Sequence, residues 1–101
     1  MRLEFLEEAQ AELNDSAAYI AAESSPETAL RFVDDVERAT RRILRWPTLL
    51  HPERDGTRRM LLGTFSFKVV YVVEGETIIV LAIAHTSRMP GYWKTRRQSR
   101  P

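Results

Sequence analysis

The seven residues from Ile78 to Ala84 are all apolar. At that length they read as a buried strand, far short of the roughly 20 apolar residues that a membrane-spanning helix needs. The run leads without a break into His85, Thr86, Ser87, Arg88, Met89, Pro90, Gly91, Tyr92, Trp93 and Lys94. A buried strand therefore delivers an imidazole, a guanidinium, a phenol and an indole to one end of a sheet. Side chains held there by a rigid scaffold can share one surface suited to an anion, a nucleic acid or a protein partner. With 101 residues and 44% hydrophobic content, the chain has material for one core and not two. It reads as a single domain over 1–101, with 95–101 expected as a flexible basic tail.

The chain has no cysteine, so it offers no disulfide framework, no thiolate nucleophile and no cysteine-based zinc site. Cytoplasm is the expected compartment, and neither a membrane span nor a signal peptide is visible. The two histidines, His51 and His85, have no ligand-like spacing, so no metal is expected. A formal net charge of +1 conceals a strong polarity along the chain. Residues 1–37 carry ten acids against two bases, a net of −8, whereas 38–101 carry thirteen bases against four acids, a net of +9. Either the second half meets an anionic partner or the two halves neutralise each other in the fold.

Arg2 to Leu6 alternates polar and apolar and predicts a first strand. Leu6, Ala9, Leu13, Ala17 and Ile20 then recur at spacings of three and four, which predicts a helix with that stripe inward and Glu7, Glu8, Glu12 and Asp15 largely outside it. Ser25 is set to cap a second helix, with Pro26 at its first position and Glu27 complementing the dipole. That helix should reach about Arg45, burying Ala29, Phe32, Val33, Val36, Ala39, Ile43 and Leu44, and stop before Pro47. Its arginines Arg38, Arg41, Arg42 and Arg45 read as a solvated face. Trp46 reads as a core-edge anchor, and His51 as surface. After a polar loop, strands are expected at Arg58–Leu62, Phe67–Val73 and Thr77–Ala84, the last two joined by a hairpin in which Gly75 takes positive φ. The order is βααβββ. The expected class is α+β, an antiparallel sheet with an αα-hairpin packed on one face.

This succession, together with Gly56-Thr57-Arg58-Arg59, Phe65-Ser66-Phe67-Lys68-Val69-Val70-Tyr71 and the ending Ala84-His85-Thr86-Ser87-Arg88-Met89-Pro90-Gly91-Tyr92-Trp93, resembles the RelE/ParE superfamily of bacterial toxins. The resemblance implies the toxin of a type II toxin–antitoxin module, held inactive by a small antitoxin in a hetero-oligomer. It is closest to the ParE-like branch, whose members inhibit DNA gyrase by binding it. That branch implies a ParD-like antitoxin, no cofactor, no membrane and no small-molecule ligand. The other branch, the RelE-like one, implies a ribosome-dependent endoribonuclease in which the 2′-hydroxyl of mRNA attacks its own phosphate. A basic binding domain without toxicity is the third reading.

The nuclease reading needs a base, an acid and cations on the phosphoryl oxygens. Its candidates are Arg59, Lys68, His85, Arg88 and Tyr92, with Arg58 as the alternative to Arg59 and Glu53 as a possible base. Arg58 and Arg59 point to opposite faces of a strand, so at most one can join a site. The middle strand Phe67–Val73 carries only Lys68, which is sparse for catalysis. The binding reading assigns target contact to His85, Arg88, Tyr92, Trp93 and Lys94. Each has a quieter alternative: His85 as a satisfied strand-end group, Tyr92 and Trp93 as aromatic cover over the sheet end, and Arg96, Arg97 and Arg100 as a solubilising tail.

Overall fold

The structure, a computed structural model, describes residues 1–98. The elements run β1 (Arg2–Phe5), α1 (Glu7–Glu23), α2 (Pro26–Arg45), β2 (Arg58–Leu61), β3 (Phe67–Glu74), β4 (Thr77–His85) and α3 (Lys94–Gln98). Both helical boundaries at residues 25–26 and 45–47 form as the residue chemistry demands. The Ser25 hydroxyl accepts the Thr28 backbone N–H at 3.1 Å, satisfying one of the donors left open at a helix start. On α2 the stripe Ala29, Phe32, Val36, Ala39 and Ile43 is buried. Leu44 rotates out to the exposed side, and Trp46 is exposed as well, its ring lying under the Arg45 guanidinium at 4.9 Å. The expected core anchor at Trp46 is thus a surface cation–π pair.

The sheet order is β1-β4-β3-β2. The meander from β2 to β4 is antiparallel as expected, and Gly75 turns the β3–β4 hairpin with φ of 59°. β1 corrects the expectation of an all-antiparallel sheet, because it pairs parallel to β4 with Arg2 opposite Thr77 and Phe5 opposite Val80. Alternation along a strand says which face is inward but nothing about its neighbour's direction. A parallel neighbour requires a long crossover, and the chain between β1 and β4 supplies one.

β4 is central, and it is covered on both faces, which is why its sequence is apolar throughout rather than alternating. Ile78, Val80 and Ile83 meet the helical hairpin through Ala9, Phe32, Val36 and Ile43. Ile79, Leu81, Ala82 and Ala84 form a second cluster with Val70, Val72 and Trp93 on the opposite face. The alternation resets at Leu81. There the pairing steps from Val70 opposite Ala82 to Tyr71 opposite Val80, leaving Leu81 as the extra residue of a bulge. Since β1 pairs only as far as Val80, the outer edge of β4 from Leu81 onward has no neighbouring strand. Among the described residues no helix is long and apolar enough to cross a membrane.

Candidate functional site

The segment after β4 folds back across the sheet. Arg88 N–H donates to the His85 carbonyl at 3.1 Å, Lys94 N–H donates to the Gly91 carbonyl at 3.1 Å, and Gly91 adopts φ of 87°. A side chain at Gly91 would put its Cβ 2.9 Å from the Lys94 Cε in a backbone region that L-residues avoid. This reversal seats Trp93 fully buried on the second cluster and leaves His85, Arg88, Met89 and Lys94 exposed.

Two clusters flank the Tyr92–Trp93 pair, whose rings meet edge to face at 5.1 Å. In the first, Arg59 and Lys68 lie over the Trp93 indole, at 5.0 and 5.3 Å from its centre. Arg59 also pairs with Glu53 at 3.7 Å and Asp55 at 3.8 Å. Burial would raise the Asp55 carboxyl, but the Thr57 hydroxyl and backbone N–H donate to it at 2.7 and 3.0 Å. These bonds, with the Arg59 charge and the Trp93 indole, hold it below its ordinary value. The indole N–H acts on this carboxylate without reaching full hydrogen-bond geometry. Arg58, on the opposite face, donates to the carbonyls of Thr48 and Leu50 and ties down the loop after α2.

In the second cluster the centre is Glu12 of α1. Its Oε1 accepts the Ile83 backbone N–H at 3.0 Å and Arg96 Nη1 at 2.9 Å. Its Oε2 accepts the Tyr92 hydroxyl at 2.8 Å and Arg96 Nη2 at 3.1 Å. Arg88 stands 3.9 Å from the same oxygen. The Arg88 and Arg96 guanidiniums lie against the Tyr92 ring, at 3.9 and 5.0 Å from its centre. Burial, followed by the Glu12 hydrogen bond and charge, pushes the Tyr92 phenol up to about 12 despite the two arginines. Burial alone would lower Arg96, but Glu12 raises it above its usual value.

The expected site residues therefore divide. Arg88 and Tyr92 share one cluster, Arg59 and Lys68 share the other, and Trp93 lies between them as a core residue. Trp93 as a target contact is corrected accordingly, since a ring with no exposed surface cannot reach a partner. His85 is separate from both clusters. Its ring packs edge-on against Phe67 at 5.1 Å, and its Nδ1 accepts the Ser87 N–H at 3.0 Å. Of the stretch expected as a basic tail, residues 95–98 continue helix α3 and Arg96 is held by Glu12; Ser99 to Pro101 lie outside the described residues.

Glu12, Asp55, Arg96 and Met89 join the site although no sequence pattern singles them out for it. The helical pattern places Glu12 on the solvent side of α1. It stands three residues after Ala9, on the border of the apolar stripe, and that border was the only signal. Among the described residues no three His, Asp or Glu side chains gather as a metal cluster. A groove of about 700 Å³ runs beside His85, between Asp15, Ser16 and Tyr19 of α1 and Phe65 and Phe67 at the entry to β3.

Residues 3–90 match the family described as "ParE toxin of type II toxin-antitoxin system, parDE". No curated protein matches the chain by sequence. Among solved structures the fold is similar to a chain of the "Chromosomal ParDE TA system from P. aeruginosa", with a TM-score of 0.76 and 24% sequence identity. That similarity covers 84% of this chain and 95% of the other. At such identity it speaks for the fold alone.

Proposed function

The chain belongs to the ParE family of toxins from type II toxin–antitoxin systems, and from that premise we propose that it arrests growth by binding DNA gyrase. The contact runs through the side chains that the segment after β4 leaves exposed, His85, Arg88, Met89 and Lys94. A cognate ParD-like antitoxin holds the toxin inactive in a hetero-oligomer, lying along the groove beside His85 and the helices, where the acidic α1 and the open edges of the sheet favour pairing with a second chain.

The observation that carries the binding reading over the nuclease is the commitment of three of the five catalytic candidates. Arg59 is paired with two carboxylates and an indole, Lys68 lies on that same indole, and the Tyr92 hydroxyl donates to Glu12 with its phenol pushed up to about 12. A phenol so placed is a poor base at neutral pH. The groups left open to solvent, Arg88, Met89, Lys94 and His85, combine cations with an exposed apolar side chain, the composition of a protein contact rather than of a phosphoryl-transfer centre.

The test runs the purified protein through a gyrase supercoiling and DNA-cleavage assay and a ribosome-programmed mRNA cleavage assay. Inhibition of gyrase with intact mRNA is expected. Cleavage of ribosome-bound mRNA with gyrase unaffected would establish the RelE-like alternative, and inactivity in both assays, with no growth defect on expression of the toxin alone, would leave a non-toxic binding domain.

A further inference from the structure

Glu12 lies far from Arg88 and Arg96 in sequence, yet it contacts both at the sheet's free margin. Beyond Val80 the outer edge of β4 has lost its β1 neighbour, so the backbone carbonyl of the bulged Leu81 and the N–H of Ile83 need partners. The Glu12–Arg96 pair supplies them. Arg96 Nη1 donates to the Leu81 carbonyl at 2.9 Å, while Glu12 Oε1 accepts from Ile83 at 3.0 Å. An acid and a guanidinium thus take the place of one step of a missing strand. Their side chains are 16% and 17% exposed, so the carboxylate itself is poorly placed to reach a macromolecular partner.

The other oxygen of Glu12, which Arg96 Nη2 also reaches at 3.1 Å, meets the segment after β4. It receives the Tyr92 hydroxyl and lies 3.9 Å from Arg88, whose guanidinium rests on the Tyr92 ring at 3.9 Å while 56% of its side chain stays exposed. A long, flexible side chain at such exposure ordinarily loses rotamer freedom when it binds. Here one face is already seated on an aromatic ring, the ring is anchored by its hydroxyl, and an acid sets the direction of the charge.

We infer that Glu12 is a positioning residue for target engagement: anchored to the β4 edge through Ile83 and Arg96, it orients Tyr92 and Arg88 so that Arg88 meets the target preformed. The inference rests on the assignment of Arg88 to target contact made above, and it adds a residue from the acidic half of the chain that does not itself contact the target.

A double-mutant cycle with Glu12→Gln and Arg88→Ala separates positioning from general stability. Growth arrest on induction and inhibition of gyrase supercoiling are both measured, at equal amounts of folded protein. Glu12→Gln is expected to weaken inhibition about tenfold in the wild-type background and by less than about twofold in the Arg88→Ala background, because it acts through Arg88. An equal loss in both backgrounds would overturn the inference. If wild-type protein arrests growth without touching gyrase, the target assignment fails by itself, and the cycle is decided on growth arrest. Should Glu12→Gln not fold, Tyr92→Phe replaces it in the same cycle. It keeps the ring beneath Arg88 and removes only the bond to Glu12, so a loss of about threefold that vanishes in Arg88→Ala supports the role. A loss that persists there, or none at all, refutes it.

Discussion

Arg59 and Arg88 each stand beside an aromatic ring and an acid, and the two settings have opposite consequences. Arg59 is 25% exposed, between Glu53 and Asp55, with the Trp93 indole beneath it. Its charge is spent inside the molecule, closing the loop before β2 onto the C-terminal segment. Arg88 is 56% exposed and shares its acid with Arg96, which takes both carboxylate oxygens at hydrogen-bond distance. It keeps a direction without losing its donors. The same three residue types thus make a staple in one place and a presented charge in the other, and burial and stoichiometry of acid to base decide which. Two acids on one arginine neutralise it; one acid between two arginines leaves net positive charge at the surface.

Removing the ring on which the staple depends should have the largest effect. Trp93→Ala takes a fully buried indole from the second core cluster and should cost about 3–5 kcal/mol, read as a fall in the denaturant midpoint or loss of the folded state. Asp55→Asn is a sharper and smaller probe. Because the folded carboxyl lies below its ordinary 3.8, the unfolded chain takes up the proton first as pH falls. The stabilisation from ionised Asp55 is therefore complete above the unfolded value and is lost as pH drops through the folded one. Thermal scans across pH 2–6 should show a shallower acid limb for Asp55→Asn than for wild type, with a loss of about 1 kcal/mol at neutral pH. An unchanged limb would mean that the staple contributes no stability. The smallest effect belongs to His85→Gln. The imidazole touches neither cluster, and glutamine keeps a polar side chain of similar reach, so growth arrest should change by less than about threefold, in contrast to the roughly 10²- to 10⁴-fold loss expected of a proton-transfer group.

Much of the scaffold was legible because local chemistry dictated it. Ser25-Pro26-Glu27 marks a helix start, Gly75 a hairpin, and the apolar run Ile78–Ala84 a buried strand, and all three form. The direction of β1 was not legible, since Leu3 and Phe5 alternate in the same way whether the neighbour runs parallel or antiparallel. Of the site, the sequence singled out the segment that carries the exposed groups and also predicted that Arg58 and Arg59 diverge. It missed what holds them. Glu12 and Arg96 meet only because β1 ends at Phe5 and leaves the bulged part of β4 without a strand, and no periodicity along the chain records where a neighbouring strand stops. Charge counting came nearer, for the acidic first half does neutralise part of the basic second half, at Glu12, while Arg88 and Lys94 remain on the surface.

If Arg88 carries target contact while the Arg59 cluster serves the fold, the two functions separate on mutation. Arg88→Ala measured for gyrase inhibition alongside its thermal midpoint tests this most directly. Arg88 should behave as an exposed contact whose loss is worth about 2 kcal/mol of binding, a weakening of inhibition of roughly 30-fold, with stability changed by less than about 0.5 kcal/mol and antitoxin binding kept. Full gyrase inhibition by a folded Arg88→Ala protein would contradict the account, as would a loss of activity that merely follows a loss of stability.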